Sequence, residues 1–231
     1  MPPKPKPAAV SVLVPWRETG EDRTAAWTHL RGLWATRHPD WQLIEGTCPD
    51  GPWSKGAAVA DALARAEHDI IVMADADVWC DGMPEAVAAV VAGAAWAIPH
   101  HRVLRLTELA SRDVYESGHW PTVRTSLTYA QRPYGGQPGG GIAVMTRATY
   151  EAAPIAPRFH GWGQEDESWN LCLQRLAGRP WRGAADLWHL WHAAQPRQSR
   201  TVGSTASRQL YRRYAIARDR VRMAALVGEG R

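Results

Sequence analysis

The sequence has 231 residues, 45% hydrophobic and 22% charged, which is enough apolar material for one sizeable core and argues against a disordered chain. Its formal net charge of +4 is almost wholly arginine, since the only lysines are Lys4, Lys6 and Lys55, and so mild an excess suits an anionic ligand without favouring a nucleic-acid surface. Cys48, Cys80 and Cys172 are odd in number and widely spaced, which argues against a disulfide framework or a paired-cysteine zinc site and makes a reducing, cytoplasmic setting the expectation.

Residues 1–8 are punctuated by proline, lack the apolar centre of a secretory signal and read as a short disordered tail. Ala9 to Pro15 is a continuous apolar run, the mark of a buried parallel strand. Thr24 to Arg37 has helical spacing and stops before His38-Pro39. A second strand is expected at Trp41 to Gly46, a helix capped by Ser54 from Lys55 to Glu67, and a buried strand from Asp69 to Ala74. This alternation predicts an α/β fold with a mostly parallel, Rossmann-like sheet flanked by helices, whose ligands lie at the carboxyl ends of the strands. The loops after Pro15, Gly46 and Ala74 all carry charge there: Arg17 and Glu18, Asp50 and Lys55, Asp75 and Asp77.

Further along, Glu85 to Gly93 reads as helix and Ala94 to Pro99 as strand, whereas 102–128 has no clear period. Ala86 to Pro99, the longest nearly uncharged stretch, falls well short of the roughly 18 apolar residues of a membrane span. Tyr134 to Gly141 holds five glycines and reads as a loop running into a strand at Ile142 to Thr146. A helix opening near Glu165 extends to Ala177, Asp186 to His192 is strand-like, and a basic amphipathic helix spans Ser207 to Leu226. The terminal helix reads as a solvated charged face covering the sheet.

Three constellations carry chemistry. Asp75-Ala76-Asp77 ends an apolar strand, where two carboxylates one residue apart can hold a hard divalent ion that also takes diphosphate oxygens; the plainer alternative is an acidic turn. In His160 to Glu167, glycines flank Trp162 and three acids follow, so a mobile aromatic hinge adjoins a carboxylate cluster opening a helix. Helix capping accounts for one such acid but not for all three. In Trp188-His189-Leu190-Trp191-His192 the two histidines face opposite sides of a continuous strand, so one ion ligand is the expectation unless the strand ends between them.

Pro15-Trp16-Arg17-Glu18, Ser54-Lys55-Gly56-Ala57-Ala58 and Met73-Ala74-Asp75-Ala76-Asp77 together resemble the nucleotide-binding half of GT-A glycosyltransferases. Gly140-Gly141-Ile142-Ala143 and Gly161-Trp162-Gly163-Gln164-Glu165-Asp166 resemble the acceptor half of the β-1,4-galactosyltransferases and, more distantly, the polypeptide N-acetylgalactosaminyltransferases. The resemblance implies a GT-A domain over 9–205, with 9–100 as the nucleotide-sugar half, 101–205 as the acceptor half and a C-terminal basic helix at 206–231. It implies Mn²⁺ or Mg²⁺ held by Asp77 and His192, with His189 in a further ligand position and Asp75 against ribose or a metal-bound water. Donor contacts are implied for Pro15, Trp16, Arg17, Glu18, Arg23, Asp50, Lys55, Ala76 and Gly141. Asp166 falls at the general base, Glu165 beside it at the acceptor, and Trp162, Gly163 and Glu167 along the sugar and acceptor subsites.

Gln164 departs from the glycine usual in galactosyltransferases, and Glu167-Ser168 replaces their further aspartates. The expected reaction is inverting transfer from a nucleotide diphosphate sugar, with UDP as the expected nucleotide, onto a glycan, a protein or a modified nucleobase. Competing readings are a nucleotidyltransferase or phosphohydrolase on the same metal site, and a non-catalytic carbohydrate-binding protein using the thirteen tryptophans.

Overall fold

A computed structural model describes residues 8–122, 128–161, 163–193 and 204–230. Strand β1 (Val10–Pro15), helix α1 (Glu21–Arg37), β2 (Gln42–Gly46), α2 (Lys55–Arg65) and β3 (Ile70–Ala74) follow in the alternation expected from the sequence. The order continues with β4 (Val78–Trp79), α3 (Met83–Val91), β5 (Trp96–Arg105), α4 (Glu108–Ser117), β6 (Ile142–Thr146) and α5 (Arg147–Ala152). It ends with α6 (Glu165–Leu176), β7 (Trp181–His189), α7 (Ser204–Ile216) and α8 (Arg220–Gly228).

The strands form one sheet in the order β2-β1-β3-β6-β5-β7-β4. β1 is parallel to β2 and β3, and β5 is parallel to β7. β6 runs antiparallel to both of its neighbours, β3 and β5, and β4 antiparallel to β7. Five strands therefore point one way and two the other. Pro15, Gly46, Ala74, Arg105 and His189, the carboxyl ends of the five, share one edge, and Gly141 leads into β6 from that same edge. An apolar run such as Ile142–Thr146 reads alike in either direction, so the reversal of β6 has no sequence signature.

Period-2 alternation divides the core between the two faces of the sheet. Val10, Val12, Val14, Val72, Ile142 and Val144 face one cluster with Trp27, Trp34 and Trp79, while Leu13, Ile71, Met73, Ala143 and Met145 face a second with Trp96, Trp169 and Tyr150. Trp34, Trp79, Trp96 and Trp169 are among the largest fully buried side chains, so a good part of the tryptophan content is core rather than sugar-binding surface.

Four details differ from the sequence expectation. β5 continues six residues past Pro99, with its register against β7 shifting between Ile98 and His100. Proline lacks the ladder donor, and the irregularity absorbs that loss. α4 forms within the stretch that shows no period, with Thr107 accepting from the Ala110 N–H as its cap. β7 ends at His189 rather than His192. The single terminal helix is two, because the Asp219 carboxylate accepts from the Arg222 N–H and opens α8 afresh. Leu210, Tyr214, Met223, Leu226 and Val227 from this pair bury themselves in the second cluster. No helix among the described residues is long and apolar enough to cross a membrane.

Candidate active site

Five parallel strand ends on one edge place chain-distant loops side by side. The short β4 brings the last of them into register: Val78 pairs with His189, and the Leu190 N–H then donates to the Asp77 carbonyl at 2.8 Å. Beyond His189 the chain turns, held by the Trp191 N–H donating to Ser111 Oγ of α4 at 2.8 Å and the Ala193 N–H donating to Asp22 of α1 at 3.4 Å. The strand thus ends between the two histidines, and both reach Asp77. This is the condition under which both histidines could serve one ion. His192 Nε2 lies 3.2 Å from Asp77 Oδ2 and His189 Nε2 lies 4.0 Å from Asp77 Oδ1.

Asp77, His189 and His192 form the one group among the described residues that could hold a metal ion, with ligand atoms within 4.8 Å of one another. Asp75 is outside this group. His189 Nδ1 lies 2.8 Å from the Leu190 carbonyl and His192 Nδ1 2.9 Å from the Ala193 carbonyl, and a carbonyl only accepts, so each Nδ1 carries a proton. Their Nε2 atoms are thereby turned toward Asp77, the orientation that carbonyl partners impose on metal-binding imidazoles. An oxygen and two imidazole nitrogens gathered on a buried strand end fit a divalent ion.

The electrostatics agree. Burial alone would raise the Asp77 carboxyl, but His189, the hydrogen bond to His192 and Arg23 at 3.4 Å outweigh it and hold the group well below the usual carboxylate range. Burial, with Arg105 and His192 adding, pushes His189 down to about 4 against the pull of Asp77. His192 is raised, mainly by its hydrogen bond to Asp77. Arg105 Nη1 donates to the neutral His189 Nε2 at 2.8 Å, a contact that an ion on that nitrogen would displace, and its Nε donates to the Tyr134 hydroxyl at 3.1 Å.

A second network adjoins the first through Asp75. Lys55 Nζ lies 2.7 Å from Asp75 Oδ1 and 2.8 Å from Asp166 Oδ1, and the Gly141 N–H donates to Asp75 Oδ2 at 3.0 Å. Asp166 opens α6 and is raised by burial and by Asp75, with Lys55 opposing. Glu165 beside it is 6% exposed, and burial with Asp166 pushes it up to about 7. Its Oε2 has no partner among the described residues. Gln164 caps this helix at φ 74, the one non-glycine residue among those described in the left-handed region. Where the resembling enzymes carry glycine, this chain accepts a backbone conformation costing about 1 kcal/mol or more.

The remaining candidates line the same edge less directly. Pro15 is buried in β1, the Trp16 N–H donates to the Gly46 carbonyl at 2.8 Å, and Ala76 is buried between the two aspartates. Arg17 donates to the Gly51 and Pro49 carbonyls and lies 5.4 Å from the Trp53 ring centre, so it organises the loop after β2. Glu18, Asp50, Gly163 and Glu167 are exposed. Trp162 lies outside the described residues.

Sequence reading missed Arg105 and His100. Arg105 falls in the stretch with no period. His100 is 2% exposed, burial first and Arg182 and His101 next push it down to about 4, and its Nδ1 has no partner among the described residues. Its ring lies against the glycine loop, with Nε2 3.3 Å from where a side chain on Gly136 would begin. No motif marks either residue.

No family model and no curated protein matches the chain. Among solved structures it is similar to GalNAc-T7 with UDP, GalNAc and Mn²⁺, at a TM-score of 0.55 and 12% identity over 90% of this chain and 48% of that one. A Drosophila β1,4-galactosyltransferase 7 complex with manganese, UDP-Gal and xylobiose aligns at a TM-score of 0.49 and 14% identity over 76% of this chain and 64% of that one. Glucosyl-3-phosphoglycerate synthase from Mycobacterium tuberculosis, bound to phosphoglyceric acid, aligns at 0.45 and 17% over 91% and 80%. The chain thus spans less than two thirds of the first two. The likeness to GalNAc-T7 shows the fold: this chain has the architecture of the GT-A glycosyltransferases.

Proposed function

We propose that the chain is a metal-dependent glycosyltransferase that moves a sugar from a nucleotide diphosphate donor, UDP-linked in the first instance, to an acceptor hydroxyl with inversion. The observation that carries this reading is the convergence of Asp77, His189 and His192 at the strand ends, two residues from an Asp75–Lys55–Asp166 network that presents a carboxylate. The GT-A fold supports it, as does the UDP and Mn²⁺ bound by GalNAc-T7.

Asp77, His189 and His192 would hold the ion, and two imidazoles in the donor set favour Mn²⁺ over Mg²⁺. A bound ion would supply positive charge to the donor diphosphate. Trp16, Arg17 and the loop after β2, at the same strand edge, would meet the nucleotide. Asp166, its basicity raised by burial, accepts the proton of the attacking hydroxyl, a role worth roughly 10²- to 10⁴-fold in rate. Glu165 and Glu167, with Trp162 and Gly163, would meet the acceptor.

The test is a panel of nucleotide sugars with Mn²⁺ read by thermal shift, then by product analysis. Ligand at about 100 times its Kd stabilises by about 2.7 kcal/mol, a rise of roughly 5–10 °C for a chain of this size. Asp77→Ala and His192→Ala should abolish that rise, and Asp166→Asn should keep it while losing transfer. Release of phosphate or diphosphate without a sugar product would place phosphoryl chemistry at this site instead, and retention at the anomeric carbon would remove Asp166 from its role.

A further inference from the structure

Lys55 opens α2 with a side chain only 8% exposed, yet burial does not neutralise it. Burial lowers its pKa, but Asp166 and then Asp75 outweigh that and leave the amine far above its ordinary value. The ammonium takes one oxygen from each acid. The other oxygen of Asp75 is occupied by the Gly141 N–H. The other oxygen of Asp166 lies against Gly140, 3.1 Å from where a side chain there would begin. Hence one buried cation ties together the strand tip leading into Asp77, the glycine loop entering β6 and the acid opening α6.

We infer that Lys55 is the positioning residue for Asp166 rather than a ligand of the donor nucleotide, an inference that rests on the glycosyltransferase reading. A carboxylate turns freely about its terminal torsion. Pinned through Oδ1, Asp166 keeps Oδ2 as the atom that takes the acceptor proton, and glycine at 140 leaves that atom room. The buried ammonium also lets two partly exposed carboxylates stand side by side. Without it nothing would hold the Asp75 and Asp166 side chains to one another, and Asp166 would lose its fixed orientation. Because Asp75 sits on the donor side and Asp166 on the acceptor side, Lys55 also sets the two halves of the site in register.

The full chain carrying Lys55→Met or Lys55→Arg, assayed with Mn²⁺ and the donor found by thermal shift, tests this. Lys55→Met should cut kcat about 100-fold with the donor KM within threefold, and Lys55→Arg, which keeps the charge, should recover to within about tenfold of the native rate. A donor KM raised tenfold or more at unchanged kcat would overturn the proposal, because Lys55 would then grip the donor. If K55M does not fold, Lys55→Gln serves in the same comparison. The network is also read without substrate: Asp166→Asn should lower the Tm of the native chain by more than it lowers that of the K55M (or K55Q) chain. Equal losses in both backgrounds would overturn the proposal whatever the protein transfers. Unequal losses in a chain that transfers no sugar would sink the glycosyltransferase reading and leave Lys55 as the organiser of the site.

Discussion

Glu165 is the residue at which function and stability conflict most directly. Its carboxyl is buried, one oxygen has no partner among the described residues, and burial with Asp166 beside it pushes its pKa up to about 7 from the ordinary 4.5. A group raised on folding contributes stability that is fully present below the unfolded value and is lost as pH rises through the folded one. The native chain should therefore lose about 1–3 kcal/mol between pH 4.5 and 7 at this site. Glu165→Gln removes the titration, so its denaturant midpoint should climb relative to the native chain from pH 5 to pH 8. A difference that stays constant over that range would show that Glu165 is ionised at an ordinary pKa. At this scale the sequence reveals residue types better than their partners. Asp77, Asp166 and the histidines stand out because carboxylates at a strand end and at a helix start have recognisable settings. Lys55 is visible as charge, but that its ammonium would bridge Asp75 to Asp166 depends on side chains 111 positions apart meeting. Asp75 shows the limit: the Asp-x-Asp pattern offers both acids to an ion, and the fold gives one of them to lysine.

Among the elements, those with a strong period were legible and those made by pairing were not. β1, α2 and β3 follow from apolar runs and a serine cap. β4 is two residues long and exists because β7 is beside it, so no local pattern announces it, yet it sets the register that brings His189 to Asp77. α4 acts similarly on His192. Ser111, 2% exposed, accepts the Trp191 N–H at 2.8 Å and so holds the turn one residue before His192. Ser111→Ala should cost about 1–3 kcal/mol for the buried donor it strands, and should weaken Mn²⁺ binding roughly tenfold, as losses of groups that orient metal ligands commonly do. Calorimetric titration of Mn²⁺ alongside a melting curve separates the two effects. A lowered Tm with unchanged Mn²⁺ affinity would mean that the turn does not govern the ligand. Pro99 explains the other misread boundary: proline ordinarily ends a strand, but Gly183 opposite it has no side chain, and one added there would begin 2.2 Å from the Pro99 carbonyl, so β7 closes against the irregular segment and β5 continues to Arg105.

For the whole molecule, the division of the core between the two faces of the sheet separates stability from chemistry. The Asp77, His189 and His192 group and the turn that carries His192 lie toward the face covered by α1 and α4, while α7 and α8 close the opposite face over Trp169, Cys172 and Leu173. The amphipathic pattern of the terminal segment was readable, since its apolar positions face the core, but Asp219 as an internal cap was hidden within a run of arginines. Met223, fully buried in α8, tests the separation. Met223→Ala should destabilise the chain by about 2–5 kcal/mol, the range for emptying a core site of this size. At about 2–4 °C per kcal/mol the melting temperature falls by roughly 5–20 °C. Because α8 contributes none of the proposed ion ligands, Mn²⁺ affinity measured well below that transition should stay within twofold. A matching fall in Mn²⁺ affinity would mean that the terminal helices hold the strand ends in place, and that the sheet transmits packing on one face to the ligands on the other.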